Sequence, residues 1–147
     1  MKYCKACQQK LDRPGRALYC SDCVETRTMY KSIIVNARRT FSAKVKKRPT
    51  LLTLTRDQLC RWRKEVVLEC FYCRISQKEL KLVGMKSQTQ KIVGVLGIDR
   101  LDSNKGYTVE NIVPCCFTCN QVKSNRFSPK EMQIIGTAIK AVWEGRR

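Results

Sequence analysis

Eight of the ten cysteines form four pairs with the spacing C-x2-C, which is a pattern typical of metal sites. In the first half of the chain, Cys4 and Cys7 form one pair, and Cys20 and Cys23 form the next, with twelve residues between the two pairs. Two such tight turns can direct four thiolates at one ion, and four thiolates in a tetrahedron are a common ligand set of structural Zn²⁺. The spacing therefore predicts a Cys4 zinc site in this part of the chain.

A second zinc site needs two pairs that lie far apart in the sequence. Cys70 and Cys73 form one turn, whereas Cys115, Cys116 and Cys119 compete for the two remaining places. Only Cys116 and Cys119 have C-x2-C spacing, and Cys115 lies in an apolar, strand-like stretch, where a buried thiol packs like a small hydrophobic residue. The second predicted site therefore consists of Cys70, Cys73, Cys116 and Cys119.

Both predicted zinc sites are closed by four thiolates, so neither keeps an open position for a reacting water. We therefore interpret them as structural sites, with Cys60 and Cys115 left over as packing residues. The chain of 147 residues contains no histidine. This excludes Ser-His-Asp and Cys-His catalysis and the HExxH metalloproteases. Catalytic chemistry in this chain must use other side chains.

The charge of the chain favours a polyanionic partner. Its 30 lysines and arginines stand against 12 acidic residues, a net charge of +18. Residues 1–64 hold 17 of the basic and 4 of the acidic residues, or +13. A basic excess of this size is typical of nucleic-acid binding. The residues expected to contact DNA are Arg38, Arg39, Lys44, Lys46, Lys47, Arg48 and Lys123.

Two further classes are excluded by hydropathy. The apolar runs are too short to span a bilayer, and the amino terminus lacks the apolar stretch of a secretory signal. We therefore expect no membrane partner and a cytoplasmic location. Thiols in such a reducing compartment bind metal more often than they form disulfides.

The elements that position these residues are predicted from periodicity and caps. We expect helices over residues 28–39 and 56–68, the second with a capping box between Thr55 and Gln58. A last helix starts after Ser128, with Pro129 at its first position. Met132, Ile135, Ile139 and Val142 are expected to form its apolar face.

Strands are predicted on both sides of a polar loop in the second half of the chain. Residues 92–98 form the first strand, which leads into Asp99 and Arg100, and residues 112–115 form the second. A helix follows from Cys116. The order is thus strand, loop, strand and helix, with cysteine turns at each end.

These residues resemble the HNH, or ββα-metal, nuclease family in its zinc-stapled variant. The resemblance rests on the second set of cysteines, Asp99-Arg100, the segment 106–111 that ends in Asn111, Asn120 and Lys123, and it covers residues 69–127. The first cysteine cluster and residues 123–125, 127–128, 131–132 and 143–146 extend it, over most of the chain, to a restriction endonuclease of this family. The implied fold is α+β, a ββα-metal core with two structural Cys4 zinc sites and flanking helices.

The resemblance also implies roles for individual residues. Asp99, Arg100, Asn111 and Asn120 form the implied catalytic set, in which Asp99 and Asn120 hold one Mg²⁺ and Asn111 braces the hairpin loop. Arg100 stands where most of the family places a histidine general base. Because arginine stays protonated, we expect it to clamp the phosphate. The base is then another group, with Tyr107, Tyr30 or a lysine of the basic segment as alternatives, or a metal-ordered water loses its proton to solvent.

The expected organisation has three parts: a zinc module over residues 1–27, a basic helical DNA-binding segment over 28–68, and the catalytic core over 69–147. We interpret the chain as a Mg²⁺-dependent endonuclease acting on double-stranded DNA, and as a homodimer that makes double-strand breaks at a specific site. Two alternatives stay open, a monomeric phage- or intron-encoded homing or nicking enzyme of the same family and a zinc-stapled DNA-binding protein without catalysis.

Overall fold

A computed structural model describes residues 2–11, 18–42 and 53–147. The chain forms two compact units, one of Met1–Val66 with Asn104–Glu110 and one of Val67–Ser103 with Asn111–Arg147. The predicted boundary between residues 68 and 69 lies two residues after the point where the chain first passes from one unit to the other. The predicted boundary between residues 27 and 28 falls inside one continuous helix.

In the first unit, helix α1 (Ser21–Ser42) packs against helix α2 (Arg56–Glu65). The Lys64 ammonium lies 3.0 Å from the Asp22 carboxylate and joins the start of α1 to the end of α2. The predicted start of α1 at residue 28 is wrong by seven residues. The helix begins directly after Cys20, whose carbonyl accepts from the Val24 N–H, so the metal-site turn and the first helical turn are continuous.

The capping box of α2 is confirmed. The Gln58 N–H donates to the Thr55 hydroxyl, and the Thr55 N–H donates to the Gln58 side chain. The helix ends at Glu65, three residues before the predicted end, because Val66 has an extended backbone.

Part of the predicted DNA-binding segment lies outside the described residues, namely Lys44, Lys46, Lys47 and Arg48. The backbone of Arg38 and Arg39 is described and belongs to α1. None of the helices in the described part of the chain has the length and apolar character that crossing a bilayer requires.

In the second unit, strands β1 (Gly97–Arg100) and β2 (Ile112–Cys115) form a two-stranded antiparallel sheet with Asp99 opposite Val113. Helix α3 (Phe117–Lys123) follows β2 and packs against β1. The bounds of β2 are as predicted, whereas the predicted strand over residues 92–98 is wrong. The Val93 and Leu96 N–H groups bond to the Met85 carbonyl and the Gln77 side chain, so the ladder with β2 starts only at Gly97.

Helix α4 (Pro129–Glu144) begins as predicted, with a complete capping box between Ser128 and Glu131. Its buried face differs from the expected one at the end, since Val142 is 53% exposed and Trp143 is buried. Gly136 lies on the buried face, where an added Cβ would stand 2.5 Å from the Tyr72 carbonyl oxygen. The helix therefore packs directly on the backbone of the Cys70–Cys73 turn.

This close approach can be tested with Gly136→Ala. The methyl group collides with backbone atoms that belong to a metal-site turn, so the cost of overpacking outweighs the gain of about 1 kcal/mol in helix propensity. We expect the free energy of unfolding to fall by about 2 kcal/mol, measured by urea denaturation with the zinc content held constant.

Gly145→Ala is the matched control, because a Cβ there meets only carbonyl oxygens at 3.7 Å. We expect its free energy of unfolding to change by less than about 0.5 kcal/mol. Equal stability of the two variants would contradict the packing argument.

Candidate active site and metal clusters

The first cysteine cluster brings together the four predicted thiols Cys4, Cys7, Cys20 and Cys23, whose sulfurs all lie within 4.8 Å of one another. The Sγ atoms of Cys7 and Cys20 are 3.8 Å apart. Four sulfurs placed 2.3 Å from a central zinc ion stand about 3.8 Å from each other. The geometry and the donor chemistry both fit Zn²⁺.

The second cluster consists of the four predicted thiols Cys70, Cys73, Cys116 and Cys119, all of them buried. Its sulfurs also lie within 4.8 Å of one another, with 3.7 Å between Cys73 and Cys116. It is part of the core of the second unit, in contact with Leu80, Met85, Leu96 and Met132. The residues of this cluster can likewise hold zinc.

Each cluster combines a loop with the start of a helix. In the loop of the first, the Gln8 N–H donates to the Cys4 carbonyl, and in the loop of the second the Arg74 N–H donates to the Cys70 carbonyl. Gln8 and Arg74 both have φ of 60°, an uncommon conformation for residues other than glycine. The recurrence of one loop geometry at both clusters indicates that it serves ligand placement.

Backbone N–H groups donate to sulfur atoms in both clusters. Cys116 is the N-cap of α3 and its sulfur accepts from the Cys119 N–H. The positive end of a helix dipole stabilises a thiolate. In the first cluster, burial raises the pKa of Cys4, but hydrogen bonds from the backbone of Cys20, Cys7 and Ala6 outweigh burial and lower it to about 6.

The two remaining cysteines stand beside the clusters. Cys60 is buried and its thiol lies 3.7 Å from the Cys23 carbonyl, and burial raises its pKa. The thiol of Cys115 donates to the Cys116 carbonyl, and the adjacent Cys70 sulfur together with burial raises its pKa. Both therefore remain neutral packing residues, each with one hydrogen bond to the backbone of a cluster residue.

Asp99 lies in β1 with only 7% of its surface exposed and is held by two side chains. The Tyr72 hydroxyl donates to Oδ2 at 2.6 Å. The Lys123 ammonium lies 3.1 Å from Oδ2 and 3.3 Å from Oδ1. A carboxylate so enclosed is fixed in orientation, and its charge is balanced by one buried cation.

The sequence predicts that Lys123 contacts DNA, whereas the structure encloses its side chain within the second unit. Its side chain is 1% exposed, and besides Asp99 it donates to the Arg100 carbonyl at 2.8 Å and to the Ser103 hydroxyl at 3.3 Å. The partners of the ammonium group are thus all internal to the ββα unit. A phosphate cannot reach this cation unless the side chain moves.

Asn111 closes the loop between the strands. Its Oδ1 accepts from the Asp102 N–H at 2.9 Å, and its Nδ2 donates to the Asp102 carbonyl at 3.1 Å. Its own carbonyl accepts from the Leu101 N–H. These three bonds extend the pairing of β1 and β2 beyond Arg100 and fix the end of the strand that carries Asp99.

Asn120 lies in α3, three residues before Lys123. Residues three positions apart lie on the same face of a helix. The half-buried Asn120 therefore lies on the same face of α3 as Lys123, whose side chain contacts Asp99. Arg100 follows Asp99 at the end of β1 and is half-buried. Asp99, Arg100 and Asn111 therefore lie at one end of the hairpin, and Asn120 lies in the helix that packs against β1.

Tyr72 is the residue that sequence reasoning missed. Burial and the hydrogen bond to Asp99 raise its pKa above the ordinary value, so the phenol keeps its proton and acts as a donor. Of the tyrosines considered as a base, Tyr30 donates its hydroxyl to the Leu54 carbonyl at 2.7 Å, whereas Tyr107 accepts from the Leu54 N–H with its backbone carbonyl. The available signal was the position of Tyr72 inside the C-x2-C turn of the second cluster.

The assignment of the cysteines is tested by metal analysis of neighbouring variants. We expect about two zinc ions per chain, and one ion after Cys116→Ser, because this change removes one of four ligands from a closed site. Cys115→Ala, the control one residue earlier, keeps both ions. Loss of zinc in Cys115→Ala with retention in Cys116→Ser, measured by elemental analysis of the purified variants, would reverse the assignment.

The comparisons with known proteins agree with this geometry. A solved structure described as the rare-cutting HNH restriction endonuclease PacI, for which a mechanism of DNA perturbation is described, matches with a TM-score of 0.70 and 29% sequence identity. The match covers 99% of this chain and 98% of the other. No protein-family model matches the sequence, and no curated protein does.

The likeness to the HNH endonucleases inferred from the sequence is therefore confirmed, as is the α+β fold class. The match spans the two cysteine clusters, the short hairpin and the helix that follows it. The chain has the fold of the HNH endonucleases and is similar to one of them, the restriction enzyme PacI, over nearly its whole length.

Proposed function

We propose that this protein is a DNA endonuclease that hydrolyses phosphodiester bonds at the end of β1, with Asp99 at the centre of the site. One observation carries the proposal: a buried carboxylate, already balanced by a cation, stands beside Arg100 in a ββα unit. The match to an HNH restriction endonuclease over 99% of the chain supports the same reaction class. DNA is the partner implied by that match and by the net charge of +18.

The donor set at this site fits a small divalent cation. The carboxylate of Asp99 and the amide oxygen of Asn120 are hard oxygen ligands, which Mg²⁺ prefers, and Asp99 accepts a cation in this structure in the form of the Lys123 ammonium. We propose that Asp99 and Asn120 hold one Mg²⁺. When bound, such an ion polarises the scissile phosphate and stabilises the leaving 3′-oxygen.

The side chains around Asp99 have positioning roles in this proposal. The Tyr72 hydroxyl fixes the rotamer of the carboxylate from one side. Asn111 clamps the loop after the strand, so the end of β1 cannot fray when DNA binds. Preorganisation of this kind matters because a displacement of about 1 Å at a reacting centre costs about a hundredfold in rate.

Arg100 supplies charge to the reaction. Its guanidinium stays protonated in proteins and offers donors in a fork that matches two phosphate oxygens. A positive group so placed stabilises the negative charge that accumulates on the phosphate in the transition state. Arg100 therefore binds and stabilises, and it does not abstract a proton from water.

The remaining features of the proposal concern the assembly. One site of this kind cuts one strand, so two copies related by a twofold axis would cut both strands of a palindromic site. The basic first half of the chain, including Arg38, Arg39 and residues 44–48, supplies phosphate contacts that position the DNA. A nuclease of this type acts in the cytoplasm, where the DNA of a bacterium or of an infecting phage is found.

The proposal is tested with supercoiled plasmid and Mg²⁺. We expect the zinc-loaded protein to convert the plasmid to discrete linear products, and Asp99→Asn to lower the cleavage rate by at least about a thousandfold, because the carboxylate is the central ligand of a metal that contributes several kcal/mol to catalysis. DNA binding, measured by anisotropy in Ca²⁺, should stay within a few fold.

Asp57→Asn, the same change at an exposed carboxylate in the first turn of α2, should cleave like the unmodified protein. Open-circular product alone would favour the nicking monomer. If the plasmid stays intact under all conditions while the protein binds DNA tightly, the proposed cleavage is wrong and the interpretation as a non-catalytic DNA-binding protein remains.

The role of Arg100 is tested with Arg100→His, which places the usual family residue at this position. If the guanidinium clamps a phosphate, histidine is too short and largely neutral at pH 7.5, so the rate of cleavage should fall about a hundredfold or more. Arg100→Lys, which keeps the charge without the fork, should retain more activity than Arg100→His at this pH. A fully active histidine variant, with a rate that rises through pH 6.5, would show that this position serves as a base.

A further inference from the structure

Lys123 occupies the cation-binding face of the carboxylate to which the proposed function assigns a metal. Its Nζ lies within 3.3 Å of both Asp99 oxygens and is 1% exposed. A buried ammonium requires partners for its three donors. Here it has four acceptor atoms, two on Asp99, one on the Arg100 backbone and one on Ser103.

Asp99 cannot offer the same oxygens fully to two cations. An ammonium group and a Mg²⁺ ion that share one carboxylate repel each other, and the repulsion is strong where water is excluded. The third contact to the carboxylate, from Tyr72, already uses Oδ2. A divalent ion that binds to Asp99 must therefore weaken or break the contact with Lys123.

The ammonium has a place to which it can withdraw. The Arg100 carbonyl and the Ser103 hydroxyl are independent of Asp99, and the Arg100 carbonyl is the closer contact, at 2.8 Å against 3.1 Å to the carboxylate. A shift away from Asp99 thus leaves two of the four acceptors in contact. The exchange of cations costs only part of the hydrogen bonding of Lys123.

We propose that Lys123 is an internal counterion that competes with the divalent cation for Asp99 and lowers the metal affinity of the DNA-free protein. This inference rests on the proposed function, since it takes Asp99 as a metal ligand. In the free protein the pair keeps the carboxylate neutralised and oriented. Additional ligands from a bound phosphate tip the competition toward the metal, which couples metal binding to the arrival of DNA.

The test is a direct measurement of metal affinity without DNA. Mn²⁺ is titrated into zinc-loaded protein and followed by electron paramagnetic resonance, for the unmodified chain, Lys123→Met and Lys123→Arg. Loss of the competing charge should tighten Mn²⁺ binding by at least about tenfold in Lys123→Met. Lys123→Arg retains the charge and should stay within a few fold of the unmodified protein.

A purely structural role for Lys123 predicts the opposite result. Its removal would then disorder Asp99 and weaken Mn²⁺ binding, so equal or weaker binding by folded Lys123→Met overturns the inference. Folding is checked by zinc content and circular dichroism. The proposed function fails separately, if Asp99→Asn leaves Mn²⁺ binding unchanged in both the unmodified and the Lys123→Met background.

A crystal structure of the unmodified protein with Mn²⁺ decides the case if Lys123→Met does not fold. We expect an anomalous peak beside Asp99 and a distance from Lys123 Nζ to both carboxylate oxygens of more than 4 Å. Mn²⁺ on Asp99 with the ammonium still at about 3 Å would show that the two cations coexist, and the inference would be wrong.

Discussion

The second cysteine cluster is the constraint on which the rest of the second unit depends. Each strand of the hairpin has four residues, and an isolated two-stranded hairpin is at best marginally stable in water. The cluster ties the loop at Cys70 to the start of α3 at Cys116, and the same loop bonds to β2 through the Phe71 N–H and the Pro114 carbonyl. Sheet, helix and loop are therefore fixed by one group of four sulfurs.

The position of Asp99 follows from this constraint. Tyr72 belongs to the loop of the cluster, Lys123 to the end of the helix that the cluster starts, and both reach the same carboxylate. Breaking a buried ion pair by removing one partner typically costs 3–5 kcal/mol, which makes this triad sensitive to small displacements of α3. Metal content at the cysteines and the geometry of the candidate active site are thus linked, although the two sites share no ligand.

Local signals explain which parts of the fold could be predicted. The caps at Thr55 and Ser128 and the four C-x2-C pairs depend on residues a few positions apart, and the structure contains all of them. The start of α1 and the bounds of β1 were missed. The start of α1 depends on the hydrogen bond from the Val24 N–H to the carbonyl of Cys20 in the first cluster. The start of β1 depends on the hydrogen bond from the Leu96 N–H to the distant Gln77 side chain, and the hydrophobic periodicity of the sequence indicates neither bond.

For the candidate site, too, the sequence indicated the residues by their order in the chain but not their surroundings in the fold. Asp99, Arg100, Asn111 and Asn120 were identified through a family resemblance carried by their order in the chain. The order of residues does not predict that Lys123 is buried, because a lysine is normally exposed to solvent. Its side chain is directed inward by the packing of α3 against β1. The contact from Tyr72 required the folded cluster for the same reason.

The hydrogen bonds between Asp102 and Asn111 join two residues of the second unit. The segment between them, Asn104–Glu110, belongs to the first unit. The chain passes from one unit to the other after Val66, returns for Asn104–Glu110 and leaves again at Asn111. A single cut near residue 66 therefore does not separate the two units. The first fragment would lack Asn104–Glu110, and the second would still carry it. To isolate the second unit, Asn104–Glu110 must be replaced by a short linker. The linker joins two chain ends that the hydrogen bonds between Asp102 and Asn111 already hold together. The same topology makes duplication or exchange of either half by simple recombination difficult, because the two halves are interleaved in sequence.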